Sequence, residues 1–140
     1  MYEQLKLNNQ LCFPLYALSK EITRRYTPFL DALDLTYPQY LVMLVLWEHG
    51  GQRVSDIGAK LMLDSGTLTP LLKRLQSKGL VERSRGTDDE RSVHIRLTEA
   101  GQALERRAAE VPQQLAGCLK MNAAEAEALR EAVRKILENI

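Results

Sequence analysis

Leu63-Asp64-Ser65-Gly66-Thr67-Leu68-Thr69-Pro70-Leu71-Leu72-Lys73-Arg74-Leu75, closed by Gly79, reads as one amphipathic helix with both ends marked. Asp64 or Ser65 supplies the N-cap, since either offers a side-chain oxygen to first-turn N–H groups. Leu68, Leu71, Leu72 and Leu75 fall on one face. Pro70 lies near the helix start, where a missing N–H costs least, and Gly79 suits the left-handed position past the end. Thr67, Lys73 and Arg74 stand on the opposite face. An apolar back with a hydroxyl-and-basic front, following another short helix, suits a helix that lies in a DNA major groove. Ser65, Thr67, Thr69 and Arg74 are the expected base-reading side chains, with Lys73 on phosphate.

Working outward, Leu80 to Arg85 alternates loosely, Gly86 to Arg91 is a polar turn, and Ser92 to Leu97 alternates again. That pattern predicts a hairpin with a long charged tip. Helix, helix and basic hairpin follow the order of a winged helix-turn-helix. From Lys73 to Arg85 the charged residues are Lys73, Arg74, Lys78, Arg83 and Arg85 against Glu82 alone. Whole-chain charge is only +1, so attraction to phosphate must come from this local surplus. Arg83 and Arg85 join the expected DNA contacts.

Further out, Asn8 and Asn9 offer caps for a first helix running to about Tyr26. Its stripe of Leu11, Leu15, Leu18, Ile22, Tyr26 and Phe29 is long enough to pack on a second subunit. Pro14 means that this helix starts nearer Leu11 than Asn9 or is locally distorted beside Cys12; both place Cys12 at a helix N-terminus. Thr36-Tyr37-Pro38-Gln39 predicts a capping box and a helix, apolar nearly all round, that forms the centre of the core. Ser55 is expected to cap a short helix over Asp56 to Met62. Thr98 opens a long helix broken near Pro112, and Asn122-Ala123-Ala124-Glu125 starts the last one, with Leu129, Val133, Ile136, Leu137 and Ile140 on its apolar face.

The expected fold is therefore mainly α with a small β-wing, in a single domain over residues 1–140. Its winged helix-turn-helix core spans about 36–98 and its dimerisation helices about 8–30 and 98–140. A two-fold homodimer would set two recognition helices about 34–36 Å apart, for successive major grooves. At 140 residues and 45% apolar content the chain can bury a real core, and no apolar run is long enough to span a membrane. The N-terminus carries no secretory pattern, so a soluble cytoplasmic protein without a membrane partner is expected. Cys12 and Cys118 lack the close spacing of zinc sites, and His49 and His94 lack carboxylate company, so neither metal nor cofactor is expected. In a reducing compartment each cysteine is either a buried apolar filler or a redox group.

Asp89-Glu90-Arg91, followed after five residues by Leu97-Thr98, resembles the wing signature D-x-R-x(5)-L-T of the MarR family of dimeric winged-helix regulators. Asn9 to Phe13, Leu35 to Leu41 and Leu63 to Pro70 are similar to its OhrR branch, the organic hydroperoxide sensors, and the similarity runs from Leu7 to the final helix. The resemblance implies that a cysteine thiolate, here Cys12, is oxidised by an organic hydroperoxide, which frees a repressor from double-stranded operator DNA. It implies hydrogen bonds to that sulfur from two tyrosines, here Tyr26 and Tyr37. Helix dipole and phenol donors both favour charged sulfur, and phenols do so without adding charge to an apolar pocket. Leu11, Phe13, Leu15, Met43 and Trp47 are the expected lining. Asp89 would orient Arg91, which would enter the minor groove. Some OhrR-like proteins carry a second cysteine that bridges the subunits, which implies a resolving role for Cys118, because a sulfenic acid left untrapped risks irreversible oxidation. Two rivals remain open on sequence: a regulator that reversibly binds a small aromatic ligand, and a thiol peroxidase.

Overall fold

The computed structural model describes residues 1–86 and 92–140. After 3-10 turns at Glu3–Leu5 and Leu7–Asn9, the elements are α1 (Cys12–Asp31), α2 (Tyr37–His49), β1 (Gln52–Arg53), α3 (Val54–Leu61), α4 (Ser65–Ser77), β2 (Val81–Arg85), β3 (Val93–Leu97), α5 (Glu99–Ala108), α6 (Val111–Cys118) and α7 (Ala123–Glu138). The three strands form one antiparallel sheet in the order β1-β3-β2.

Helix α2 forms where its caps require. Thr36 Oγ1 accepts from the Gln39 N–H at 3.3 Å and Gln39 Oε1 accepts from the Thr36 N–H at 3.1 Å, the reciprocal capping box. Val42, Met43, Val45 and Leu46 are buried along α2, and it packs against α1, α3, α4, α5 and β3. Leu68, Leu71, Leu72 and Leu75 bring the back of α4 into the same core, each at 7% exposure or less. Burying such a leucine is worth about 1.5–3 kcal/mol. Of the two candidate caps for α4, Asp64 is the one used: its Oδ1 accepts from the Thr67 N–H at 2.7 Å. Gly79 adopts φ 75°, as a residue past a helix end requires.

Two boundaries differ from expectation. The first helix begins at Cys12, the start nearer Leu11 that Pro14 allowed, with Asn8 and Asn9 outside it, but continues past Tyr26 to Asp31. Leu11 is its N-cap without a side-chain bond, and the Asn9 amide instead donates to the Glu3 carbonyl at 2.7 Å. Pro14 is thereby the third helical residue, where its absent N–H breaks no helical bond. Helix α3 starts at Val54, so Ser55 lies within its first turn and caps nothing. The cause is β1, which pairs Gln52 with Ile95 and Arg53 with His94 and leads straight into α3 from extended Arg53. Leu97-Thr98 has a structural role as well. The Thr98 hydroxyl accepts from the Gly101 N–H at 3.1 Å and donates to the Gly79 carbonyl at 2.6 Å, tying α5 to the end of α4.

Candidate nucleic-acid interface and thiol site

Burial of the leucine back turns the rest of α4 outward, and the outward residues divide into two flanks. Ser65 and Thr69 share a cleft of about 680 Å³ with Arg83 of β2 and with Arg53 and Ser55 from the start of α3. Gln76, on the same flank by helical spacing, lines a second concavity with Arg83, Ser84 and Arg85. Thr67 and Arg74 stand exposed on the other flank, and exposed Lys73 lies on the front between them. The structure thus brings Ser65 and Thr69 beside Arg83 of the wing, sets Gln76 beside Arg83 and Arg85, and leaves Thr67 and Arg74 apart from them. Asp89 and Arg91 lie outside the described residues.

Charge on this surface differs from the sequence tally. Glu82 is paired across the sheet with Arg96, whose guanidinium lies 2.9 Å from its carboxylate, so the wing's one described acid is neutralised. Arg53 pairs with Asp56 at 3.1 Å, which holds the Asp56 carboxyl below its ordinary range. Lys78 is bonded to Asp34 on the α1–α2 turn and to Gln39 in the first turn of α2. Sequence reading missed Arg53, Ser55 and Gln76. The only signal for Arg53 was a basic residue just before a predicted helix.

The thiol site is spread over one chain. Cys12 is the first residue of α1 and is exposed, with no side chain capping the helix there. The positive end of that helix therefore faces the sulfur. Tyr26 and Tyr37 stack at 4.8 Å between ring centroids, with Tyr40 at 5.8 Å from Tyr26 and 6.3 Å from Tyr37. Burial, followed by the neighbouring phenols Tyr37 and Tyr40, pushes the Tyr26 hydroxyl up to about 12. Burial raises Tyr37 too. Both stay protonated donors across the physiological range. Tyr40, 3% exposed, belongs to the core, and Tyr16 is exposed beneath the Lys20 ammonium. Of these four tyrosines, Tyr26 and Tyr37 are half-buried, Tyr40 is buried with its hydroxyl also raised by that burial, and Tyr16 is exposed.

Tyr26 and Tyr37 open onto a groove of about 690 Å³ bounded by Leu18, Ile22, Leu115, Leu119, Leu129 and Val133. The expected lining needs correction. Met43 is 0% exposed in the core, and the Trp47 indole donates to the Gly101 carbonyl at 3.0 Å, away from this groove. Cys118 ends α6 half-buried, its thiol 3.6 Å from the Gln114 carbonyl, one residue before groove-lining Leu119. Cys12 and Tyr26 are fourteen residues apart on the same helix, which separates them by about 21 Å along its axis. One chain cannot bring them into contact.

Residues 24–107 match the family described as transcriptional regulator SarA/Rot. The chain is 48% identical over 139 residues to the organic hydroperoxide resistance transcriptional regulator of Bacillus subtilis, covering 99% of this chain and 95% of that protein. The structure of reduced AbfR bound to DNA, from Staphylococcus epidermidis, is 39% identical with a TM-score of 0.79, over 98% of this chain and 95% of that one. Disulfide-formed AbfR is 37% identical and covers 98% and 91%, but its TM-score is 0.65. These relatives are regulators and not enzymes. Their shared helices, wing and recognition helix leave one assignment: the chain belongs to the MarR/SarA family of winged-helix transcriptional regulators, on the OhrR branch of organic hydroperoxide resistance regulators.

Proposed function

We propose that the protein is a homodimeric, cytoplasmic repressor that binds double-stranded operator DNA through α4 and the wing, and that an organic hydroperoxide releases it by oxidising Cys12. The observation that carries this reading is the placement of Cys12 and the Tyr26–Tyr37 pair. Cys12 opens α1 and Tyr26 lies fourteen residues further along it with Tyr37 of α2 against it, while Leu11, Phe13, Leu15, Tyr16 and Leu18 along the first half are exposed. Two copies of α1 packed antiparallel would cover those residues and set each Cys12 beside the other copy's phenols. Helix α7 supports the same pairing: none of its residues is buried, and Leu129, Val133, Ile136 and Leu137 are 38–55% exposed. An apolar surface of that extent on two helices calls for a partner.

The chemistry follows from the parts. The Cys12 thiolate attacks the distal peroxide oxygen; the O–O bond breaks, an alcohol leaves after protonation, and sulfur becomes a sulfenic acid. The Cys118 thiol of the other copy then attacks that sulfur, forming a disulfide and releasing water. A bridge needs Cα atoms within about 7 Å, so helices that start further apart must move. Disulfide-formed AbfR, less similar to this chain than reduced AbfR is, accords with such a movement.

A gel shift on the DNA upstream of the gene, with and without cumene hydroperoxide, tests the reading. Wild-type protein should bind when reduced and let go when oxidised, while Cys12→Ser should bind under both conditions. Release of the serine variant by peroxide would overturn the assignment of Cys12. Non-reducing electrophoresis should show a cross-linked dimer that is absent in Cys118→Ser; full oxidative release of that variant, with no wild-type cross-link, would remove the resolving role.

A further inference from the structure

Lys78 stands among the cations of the DNA-reading segment in sequence, yet its ammonium is occupied inside the chain. As the residue that closes α4, it donates to the backbone carbonyl of Asp34 and to Gln39 Oε1 at 3.0 Å, with the Asp34 carboxylate at 3.6 Å. Its side chain is 27% exposed. Gln39 is 2% exposed, and the same Oε1 accepts from the Thr36 N–H in the capping box of α2. Two of the ammonium's three donor directions are thus taken by acceptors of the α1–α2 region, and the Asp34 carboxylate adds a looser ion pair. Just beyond, Gly79 receives the Thr98 hydroxyl through its carbonyl. Three segments therefore meet at residues 78–79: the α1–α2 turn, the end of the recognition helix, and the start of α5.

We propose that Lys78 is a positioning residue for operator recognition, fixing α4 against the α1–α2 turn and making no phosphate contact. The inference rests on the DNA-binding reading above. Helix α4 is thirteen residues long, about 20 Å. Loosening its C-terminal end lets it tilt, which displaces Ser65, Thr67 and Thr69 at the far end where small shifts break base-edge hydrogen bonds. Non-specific attraction to phosphate, carried by other cations, is indifferent to such a tilt.

The test compares wild type, Lys78→Met and Lys78→Arg on the upstream DNA and on a scrambled duplex, by fluorescence anisotropy over a salt series. Lys78→Met keeps the aliphatic stem and removes the donors. It should weaken operator binding about tenfold, the scale of a lost charged hydrogen bond. Scrambled-duplex affinity and the slope of log affinity against log salt should stay as in wild type, and Lys78→Arg should recover most of the loss. A slope smaller by about one, with both duplexes weakened alike, would make Lys78 a phosphate contact and overturn the proposal. So would unchanged operator binding by Lys78→Met. Asp34→Asn covers the case in which Lys78→Met does not fold, since asparagine also tolerates the φ of 55° there. Asp34→Asn keeps the backbone carbonyl that Lys78 holds, so a positioning role predicts binding to both duplexes close to wild type, whereas a phosphate-binding lysine freed from its carboxylate would bind both more tightly. Wild-type protein that binds neither duplex would instead overturn the DNA-binding reading itself.

Discussion

Tyr26 and Tyr37 differ from Tyr40 in the surface they line. Tyr40 is 3% exposed, whereas the first two line an open groove, with Tyr26 pushed up to about 12 by burial. A phenol that stays protonated can donate to a thiolate at any physiological pH. Tyr37→Phe and Tyr26→Phe should each slow oxidation of Cys12 by roughly tenfold or more, as expected for loss of one donor to a charged acceptor, while leaving DNA binding by the reduced form intact. Stopped-flow oxidation monitored by thiol loss provides the measurement; equal rates for wild type and both variants would exclude the phenols. Gly101 shows a different constraint. Its α-carbon lies so close to the Leu80 carbonyl oxygen that an added Cβ would collide with it, and its own carbonyl receives the Trp47 indole. Gly101→Ala should therefore destabilise the protein by about 1–3 kcal/mol in urea unfolding, and a variant as stable as wild type would show that the α5 junction can give.

The start of the recognition helix is held by a charge. Asp64 Oδ1 accepts the Thr67 N–H, and that bond, with the Thr67 side chain, holds the Asp64 carboxyl below its ordinary 3.8. A depressed folded-state value means that the contribution is present above about 3.8 and is lost as pH falls through the lower folded value. Asp64→Asn keeps a good cap without the titration. Its melting temperature should match wild type near neutrality and fall less steeply below about pH 4; superimposable acid limbs would show that the charge contributes nothing. Helices α2, α4 and α7 were legible in sequence because each carries its own cap and stripe within a few residues: Thr36 with Gln39, Asp64 with Leu68 to Leu75, Asn122 with Glu125. Strand β1 was not, since two residues are too few to show a period and Gln52–Arg53 is extended only because β3 pairs with it. The same holds for Lys78, whose partners stand 39 and 44 residues away, and for the groove, whose lining gathers from α1, α2, α6 and α7. Local rules specify elements; contacts between them decide which basic residue faces outward and which apolar residues surround a phenol.

At the scale of the whole molecule, the uncovered helices at both ends of the chain set the terms. Val133 and Leu137 lie one turn apart on α7, at 38% and 45% exposure. Val133→Asp with Leu137→Glu should place charge in the proposed dimer interface and yield a monomer in sedimentation velocity, with far weaker operator binding because one recognition helix is left to act alone. A stable dimer in the double variant would move the interface away from α7. The fourteen-residue separation of Cys12 and Tyr26 carries an arithmetic of its own. A sensor that draws its thiol from one chain and its phenols from the other, as proposed, lets two differently damaged chains mend each other. A mixed dimer of one Cys12→Ser chain and one chain carrying both Tyr26→Phe and Tyr37→Phe holds one wholly intact sensor and one that has lost everything. It should react with one peroxide at the wild-type rate and then stop, whereas neither parental homodimer reacts at that rate at all. Sensors closed within single chains would give no such half-sized fast phase.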